Sequence, residues 1–245
     1  MHVDTGGAPP TPALLGRLAD LGMDVTHLYG LTETFGPVAI NVWQPEWDSL
    51  SAAEAAALRA RQGIGNIAAR PLRVLDDSGR DVPADGTTVG EIAARGNAVM
   101  LGYFRDEAGT DAVTRDGFFL TGDLGVMYPD GYVEIRDRAK DIIISGGENI
   151  SSVQVERVID SHPVVVESAV VGIPDPLWGE VPVAYVTVCA SSQVTAGDLR
   201  AYVLERLAGF KVPKAFTFTE LPKTATGKIR KNELRSLARE QSGPS

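Results

Sequence analysis

The chain of 245 residues contains one cysteine, Cys189, and three histidines. A single thiol in an apolar, alternating run gives no support to a disulfide framework, a thiolate metal site or a catalytic thiol, and a reducing compartment is its simplest home. Basic residues are also scarce. There are 23 Lys plus Arg against 32 Asp plus Glu, a net charge of -9, which argues against nonspecific binding to nucleic acid or to an anionic membrane. No segment approaches the roughly eighteen apolar residues of a membrane span. The opening "MHVDTGGAPP" lacks the charged-then-apolar layout of a secretion signal, so the expected location is cytoplasmic. The triplet Asn149-Ile150-Ser151 then fits the glycosylation pattern by chance. No internal repeat is present, and both common phosphate-binding motifs fail: Gly146-Gly147 lacks the third glycine of a dinucleotide fingerprint, and Gly227-Lys228 lacks the upstream glycine and following Ser/Thr of a P-loop.

What is present reads as mixed α/β and α+β. The segment "TPALLGRLADL" (11–21) spaces Leu14, Leu15, Leu18 and Leu21 at helical intervals, with Thr11 as cap and Pro12 at the first helical position. An extended run, "DVTHLYG", then delivers the loop "LTETFGP", whose Gly, Pro and Thr resist regular structure. Ser51 and Glu54 form a capping-box pair ahead of an alanine-rich helix to about Arg61. From 64 to 137 the pattern predicts short strands, "LRVLD", "GEIAARG", "FFLTGD", "GVMYP" and "YVEIRDR", separated by "DDSGR" and "PDG" turns. After residue 141 the order is strand, helix, strand, strand, helix, strand, with Thr195 and Asp198 boxing the second helix. The domains expected are 1–137 (an α/β segment 1–62 and a β-subdomain 63–137), a hinge at 138–141, a compact α+β domain at 142–238 and a disordered tail at 239–245.

Three stretches carry candidate chemistry, and each also has a plain reading. "YGLTETFGP" offers an aromatic at Tyr29, a hydroxyl at Thr32 and a hard carboxylate at Glu33, suited to a base, a phosphate oxygen and Mg²⁺; by itself it is equally a capped turn. Asp123, between glycines in "FFLTGDLG", is either a turn aspartate bonding its own backbone or a carboxylate accepting ribose hydroxyls. Spacing does not choose between them. "RDRAKDIIISGGENIS" crowds charge ahead of a buried-type run, which alone reads best as a solvated strand edge.

The ordered set "GGAPP", "YGLTETFGP", "GYFRD", "GFFLTGDLG", "DRAKDIIISGGENISSVQVE", "DPLWGEVPVAYV" and "LPKTATGKIRK" resembles the adenylate-forming acyl-CoA synthetases, across nearly the whole chain. "DLGVMYPDGY", "SGGENIS" and "WGE" look most like the short- and medium-chain or aryl-acid CoA ligases. The resemblance implies a two-step reaction: a carboxylate attacks the α-phosphate of MgATP to give acyl-adenylate and pyrophosphate, and coenzyme A then displaces AMP. It implies that Gly7, Ala8, Tyr29 and Gly30 line the nucleotide pocket, Thr32 bonds the α-phosphate, and Glu33 holds Mg²⁺. Asp123, helped by Arg138, would hold the ribose. Lys228 would place its ammonium between the acyl carboxylate and the α-phosphate. Lys140 matches the hinge about which the family's small domain swings, and Gly147, Glu148 and Asn149 match the loop lining the CoA tunnel.

The family's Ser/Thr/Gly-rich phosphate loop ending in Pro-Lys-Gly, and most of its acyl pocket, have no match here. Residues 1–137 therefore resemble the final part of the large domain, and the strands they leave unpartnered predict an exposed apolar face. One expectation is a piece of an acyl-CoA ligase that acts on a carboxylic acid and CoA only with a separate N-terminal half, or as a homo-oligomer, and is inactive alone. A non-catalytic remnant or interaction module is the alternative. An adenylation domain loading a carrier-protein thiol is the other enzymatic reading.

Overall fold

The computed structural model describes residues 1–7, 9–225 and 227–241. The chain divides into two compact units, Met1–Ala139 and Lys140–Ser245.

In the first unit, β1 (His2–Gly6), α1 (Pro12–Asp20), β2 (Asp24–Leu31), β3 (Gly36–Ile40), α2 (Ala52–Arg59) and β4 (Ile64–Gly65) build a four-stranded sheet in the order β1-β2-β3-β4. β1 and β2 are parallel, with Gly6 opposite Leu28, so their carboxyl ends lie side by side. Both helices start where the sequence places caps. The Leu14 amide donates to Thr11 Oγ1 at 3.2 Å, and Ser51 and Glu54 form the reciprocal capping box. Leu15, Val25, Ala56 and Ala60 bury the contact between helices and sheet.

The loop expected after β2 is a single 3-10 turn, Thr32–Thr34, followed directly by β3. Buried Thr34 accordingly accepts from the Leu31 amide at 2.9 Å and donates to the Gly36 carbonyl at 2.8 Å. Gly30 is needed there for space, because a Cβ would lie 2.0 Å from that same carbonyl oxygen.

A second, antiparallel sheet contains β5 (Arg73–Leu75), β6 (Gly90–Ala94), β7 (Thr114–Arg115), β8 (Phe118–Met127) and β9 (Val133–Arg138), with α3 (Glu107–Ala112) leading into β7. "FFLTGD" and "GVMYP" are one strand, not two. A register shift between Leu124 and Gly125 absorbs the irregularity that the glycines suggest. Val38, Val74, Ile92, Val133 and Ile135 form the core shared by the two sheets of this unit.

The second unit contains β10 (Ile143–Ser145), β11 (Glu148–Ile150), α4 (Ser152–Asp160), β12 (Val165–Asp175), β13 (Gly179–Val188), α5 (Ala196–Leu204), β14 (Phe216–Phe218) and α6 (Lys231–Gln241). Its sheet runs β11-β10-β13-β12, with β14 parallel to β13. Alternation along the strands sorts two cores. Val170, Ala184 and Val186 meet Val155, Ile159, Leu199 and Val203 of α4 and α5. Ala169, Val171, Val183 and Tyr185 meet Leu234 and Ala238 of α6.

The tail expectation needs correcting. Residues 239–241 continue α6, whose buried Leu234 and Ala238 anchor it to the sheet, and residues 242–245 lie outside the described residues. Among the described residues no helix is long and apolar enough to cross a membrane.

Candidate active site

Parallel strands present their carboxyl ends to ligands, and several sequence-predicted residues sit at such ends. Gly7 follows β1 directly, exposed and with φ +95°. Tyr29 and Gly30 lie near the end of β2, and Thr32 and Glu33 form the turn that closes it. Thr32 is exposed and Glu33 half-buried. The turn is tied to the 100–103 segment, since the Met100 amide donates to the Glu33 carbonyl at 2.7 Å and the Tyr103 hydroxyl to Glu33 Oε1 at 3.2 Å. Ala8 lies outside the described residues.

Asp123 joins strands that are far apart in sequence. Its Oδ2 accepts from the Tyr29 hydroxyl at 2.8 Å and its Oδ1 from Arg138 Nε at 2.9 Å. The register explains the second bond, because Asp123 on β8 pairs directly with Arg138 on β9. The Asp123 amide also donates to Thr121 Oγ1 at 3.2 Å. Burial and the adjacent Asp123 carboxylate push the Tyr29 hydroxyl well above its ordinary pKa, so it remains a donor. Only 3% of Asp123 and 7% of Tyr29 are exposed, and the Tyr29 ring packs with Val38, Val74 and Ile92. That ring belongs to the core, and its polar contact is with the carboxylate. A carboxylate has about four acceptor positions, so two charge-assisted bonds leave capacity for further donors.

In the second unit, Gly146 and Gly147 form the two-residue corner between β10 and β11, with φ of +60° and +86° and Ser145 opposite Glu148. Two left-handed residues match the twist of a tight hairpin, and glycine adopts that conformation without a Cβ penalty. A Cβ on Gly146 would lie 2.7 Å from the Trp178 ring, and the Gly146 amide donates to the Trp178 carbonyl at 2.8 Å. Glu148 and Asn149 are exposed beside this corner.

Lys228 lies on a second small hairpin. Lys223 bridges Ile229, the Thr224 amide donates to the Lys228 carbonyl at 2.8 Å, and the Arg230 amide donates to the Pro222 carbonyl at 2.8 Å. The Gly227 amide donates to the Thr224 carbonyl at 2.9 Å and the Lys228 amide to Thr224 Oγ1 at 3.1 Å. Lys140 is exposed at the start of the unit, and the adjacent Asp141 is buried against Arg235 at 2.5 Å.

Tyr103, Thr121 and Trp178 were not predicted as site neighbours. All three lie in the quoted motifs "GYFRD", "GFFLTGDLG" and "DPLWGEVPVAYV"; Thr121 stands two residues from Asp123, whereas the contacts of Tyr103 and Trp178 depend on chain crossings that no local spacing reports.

Among the described residues no group of three or more His, Cys, Asp or Glu side chains converges as a metal cage. Mg²⁺ does not require one, because it binds through one or two carboxylates with phosphate oxygens and water completing the octahedron. Glu33, accessible beside the Thr32 hydroxyl, fits that part.

Residues 1–104 match the family of AMP-binding enzymes, and residues 154–228 match the AMP-binding enzyme C-terminal domain. The acetate–CoA ligase CCL3 of Humulus lupulus is 50% identical over 98% of this chain and 43% of its own length. The peroxisomal trans-cinnamate:CoA ligase of Petunia hybrida is 46% identical over 98% of this chain and 42% of its own. ATP-bound MatB from Rhodopseudomonas palustris has a TM-score of 0.86 at 32% identity, covering 98% of this chain and 46% of that one. The chain thus spans less than half the length of the relatives it matches.

Proposed function

Because this chain belongs to the AMP-binding, adenylate-forming enzyme family, we propose that it supplies the ribose-gripping and lysine-bearing part of an ATP-dependent carboxylic acid–CoA ligase. The observation that carries this reading is the buried Asp123 carboxylate, held by Tyr29 at 2.8 Å and Arg138 at 2.9 Å. Two fixed donors preorganise its remaining lone pairs for a diol, so the orientation is set before the nucleotide arrives. Gly7, Ala8 and Gly30 flank the nucleotide, and Thr32 donates to the α-phosphate. Glu33 would hold Mg²⁺, which when bound offsets the phosphate charge.

In the first half-reaction the acid's carboxylate oxygen attacks the α-phosphorus. The bond to the bridging oxygen breaks, and pyrophosphate leaves with the electron pair. The Lys228 ammonium stabilises negative charge shared between the acid and the α-phosphate. In the second half-reaction the CoA thiol releases its proton to solvent and attacks the acyl carbonyl; a C–S bond forms, the C–O bond to the phosphate breaks, and AMP leaves with the electron pair. Glu148 and Asn149, beside the Gly146-Gly147 corner, flank the pantetheine, and Lys140 serves as the hinge.

The acid remains defined only as a carboxylic acid. Relatives 50% and 46% identical carry the names of an acetate and a trans-cinnamate ligase, so similarity over this segment does not separate aliphatic from aryl substrates. The reading includes a complementing portion that supplies the phosphate loop, and a cytoplasmic location that fractionation of the tagged protein tests.

Removing one preorganised electrostatic contact typically costs on the order of a hundredfold in rate. In the complete enzyme Lys228→Ala should therefore cut acyl-adenylate formation by about that factor and spare CoA transfer from supplied acyl-adenylate. Equal loss in both half-reactions rejects the role. The chain alone should give no ATP–pyrophosphate exchange, and measurable exchange would show that the phosphate loop is dispensable.

A further inference from the structure

The hairpin that carries Lys228 is anchored at both legs. Its apolar feet are Leu221 and Ile229, which join Val171 and Tyr185 of the sheet and Leu234 of α6 in one cluster. Its polar anchors are two lysines. On the leading leg, Lys223 Nζ lies 2.7 Å from Glu167 Oε2 of β12, with side chains 42% and 25% exposed. On the trailing leg, Lys231 Nζ lies 2.7 Å from Glu156 Oε1 and 2.8 Å from Ser152 Oγ, both on α4. Here the side chains of Lys231 and Glu156 are only 17% and 14% exposed. Glu156 Oε1 is itself fixed by the Val170 amide at 2.7 Å.

Lys231 is also the first residue of α6. A cation there opposes the helix macrodipole, whose amino end favours negative charge. Helix formation therefore does not account for a lysine at this position, whereas contact with α4 does. An exposed ion pair holds little, but a shielded pair sharing a carboxylate with a backbone amide fixes geometry, and removing one partner strands the other charge.

We propose that Lys231 is a positioning residue for Lys228: its ion pair with Glu156 and its bond to Ser152 fasten the trailing leg of the lysine hairpin to α4. Lys228, three residues away, is thereby presented from a fastened hairpin whose backbone conformation is set before substrate arrives. α4 follows β11 and the Gly146-Gly147 corner directly, so the same helix holds the lysine hairpin and continues from the corner assigned to CoA. This inference rests on the catalytic reading of Lys228 given above.

Amide hydrogen exchange followed by NMR on the whole chain tests the fastening without any need for turnover. In Lys231→Met, the Gly227, Lys228 and Arg230 amides should exchange at least tenfold faster, while β13 amides such as Ala184 keep their rates. Glu156→Gln should do the same, Lys231→Arg should restore protection to near the wild-type level, and Lys223→Met, at the more exposed leg, should have a smaller effect. Unchanged hairpin amides, or equal acceleration throughout the unit, would overturn the proposal.

In the complete enzyme, Lys231→Met should slow adenylation at least tenfold with KM for acid and ATP unchanged, spare thioester formation from supplied acyl-adenylate, and recover in Lys231→Arg. The two readings fail separately. If Lys228→Ala leaves adenylation intact, the catalytic reading falls while the exchange result stands; if only the exchange result fails, Lys228 keeps its role and Lys231 loses its own.

Discussion

The Tyr29 hydroxyl donates to Asp123 Oδ2 at 2.8 Å across 94 positions of sequence. That bond joins the end of a strand in the first sheet to a strand in the second, at the carboxylate assigned to the ribose. Tyr29→Phe keeps the ring in the core and removes only the donor. Leaving a buried acceptor short of a partner costs about 1–3 kcal/mol. Urea denaturation should register that loss in the first unit, and the complete enzyme should bind AMP several-fold more weakly because the carboxylate is no longer held from two sides.

Gly30 presents a backbone constraint at the same corner. Any side chain there places Cβ 2.0 Å from the Gly36 carbonyl oxygen, and both atoms belong to backbone of the paired strands β2 and β3. Gly30→Ala should destabilise the first unit by roughly 3 kcal/mol or more. A lowered denaturant midpoint for that unit checks it, and an unchanged midpoint would mean that the β2-β3 pairing spreads freely.

His27 makes the first unit sensitive to acid. Burial, partly opposed by a hydrogen bond with the Arg61 carbonyl, lowers its pKa from 6.5 to about 4. The folded state keeps the ring neutral while the unfolded chain takes up a proton near 6.5. The contribution is therefore complete above about pH 6.5 and is lost as pH falls toward 4, amounting to at most about 3 kcal/mol. Amide exchange in β2 and β3 should quicken over that window, and His27→Gln should flatten the slope.

Asp160 gives the second unit the opposite slope. Burial and the charges of Glu156 and Glu167 outweigh the Ser168 hydrogen bond, raising its pKa from 3.8 to about 7. The folded state then holds a proton that the unfolded chain has released. The contribution of this group is fully present below about pH 4 and is lost as pH rises through about 7. Asp160→Asn keeps the shape and has no proton to lose, so it should raise the melting temperature of the second unit by a few degrees at pH 8 and change little at pH 4.

Local chemistry made much of the fold legible. Thr11, Ser51 and Thr195 each cap a helix as their spacing implies. α6 escaped because only Leu234 and Ala238 mark its buried face among Lys, Asn, Glu and Arg, so its last residues, 239–241, read as tail. β8 was split because Gly122 and Gly125 look like breaks, although a register shift accommodates them. The site divides the same way. Thr32, Glu33, Asp123 and Lys228 were readable as motif positions, whereas the Tyr29–Asp123 bond and the Lys231–Glu156 pair depend on which strands and helices meet. Tyr29 reads as an aromatic that could stack on a base; its membership of the buried cluster and its bond to Asp123 are features that the motif alone does not report.

Among the described residues, each apolar cluster takes all its members from one side of the Ala139–Lys140 boundary. A change of volume in any of them finds its compensating change within the same unit. At the level of packing, the interior of Met1–Ala139 and that of Lys140–Ser245 can therefore drift at different rates.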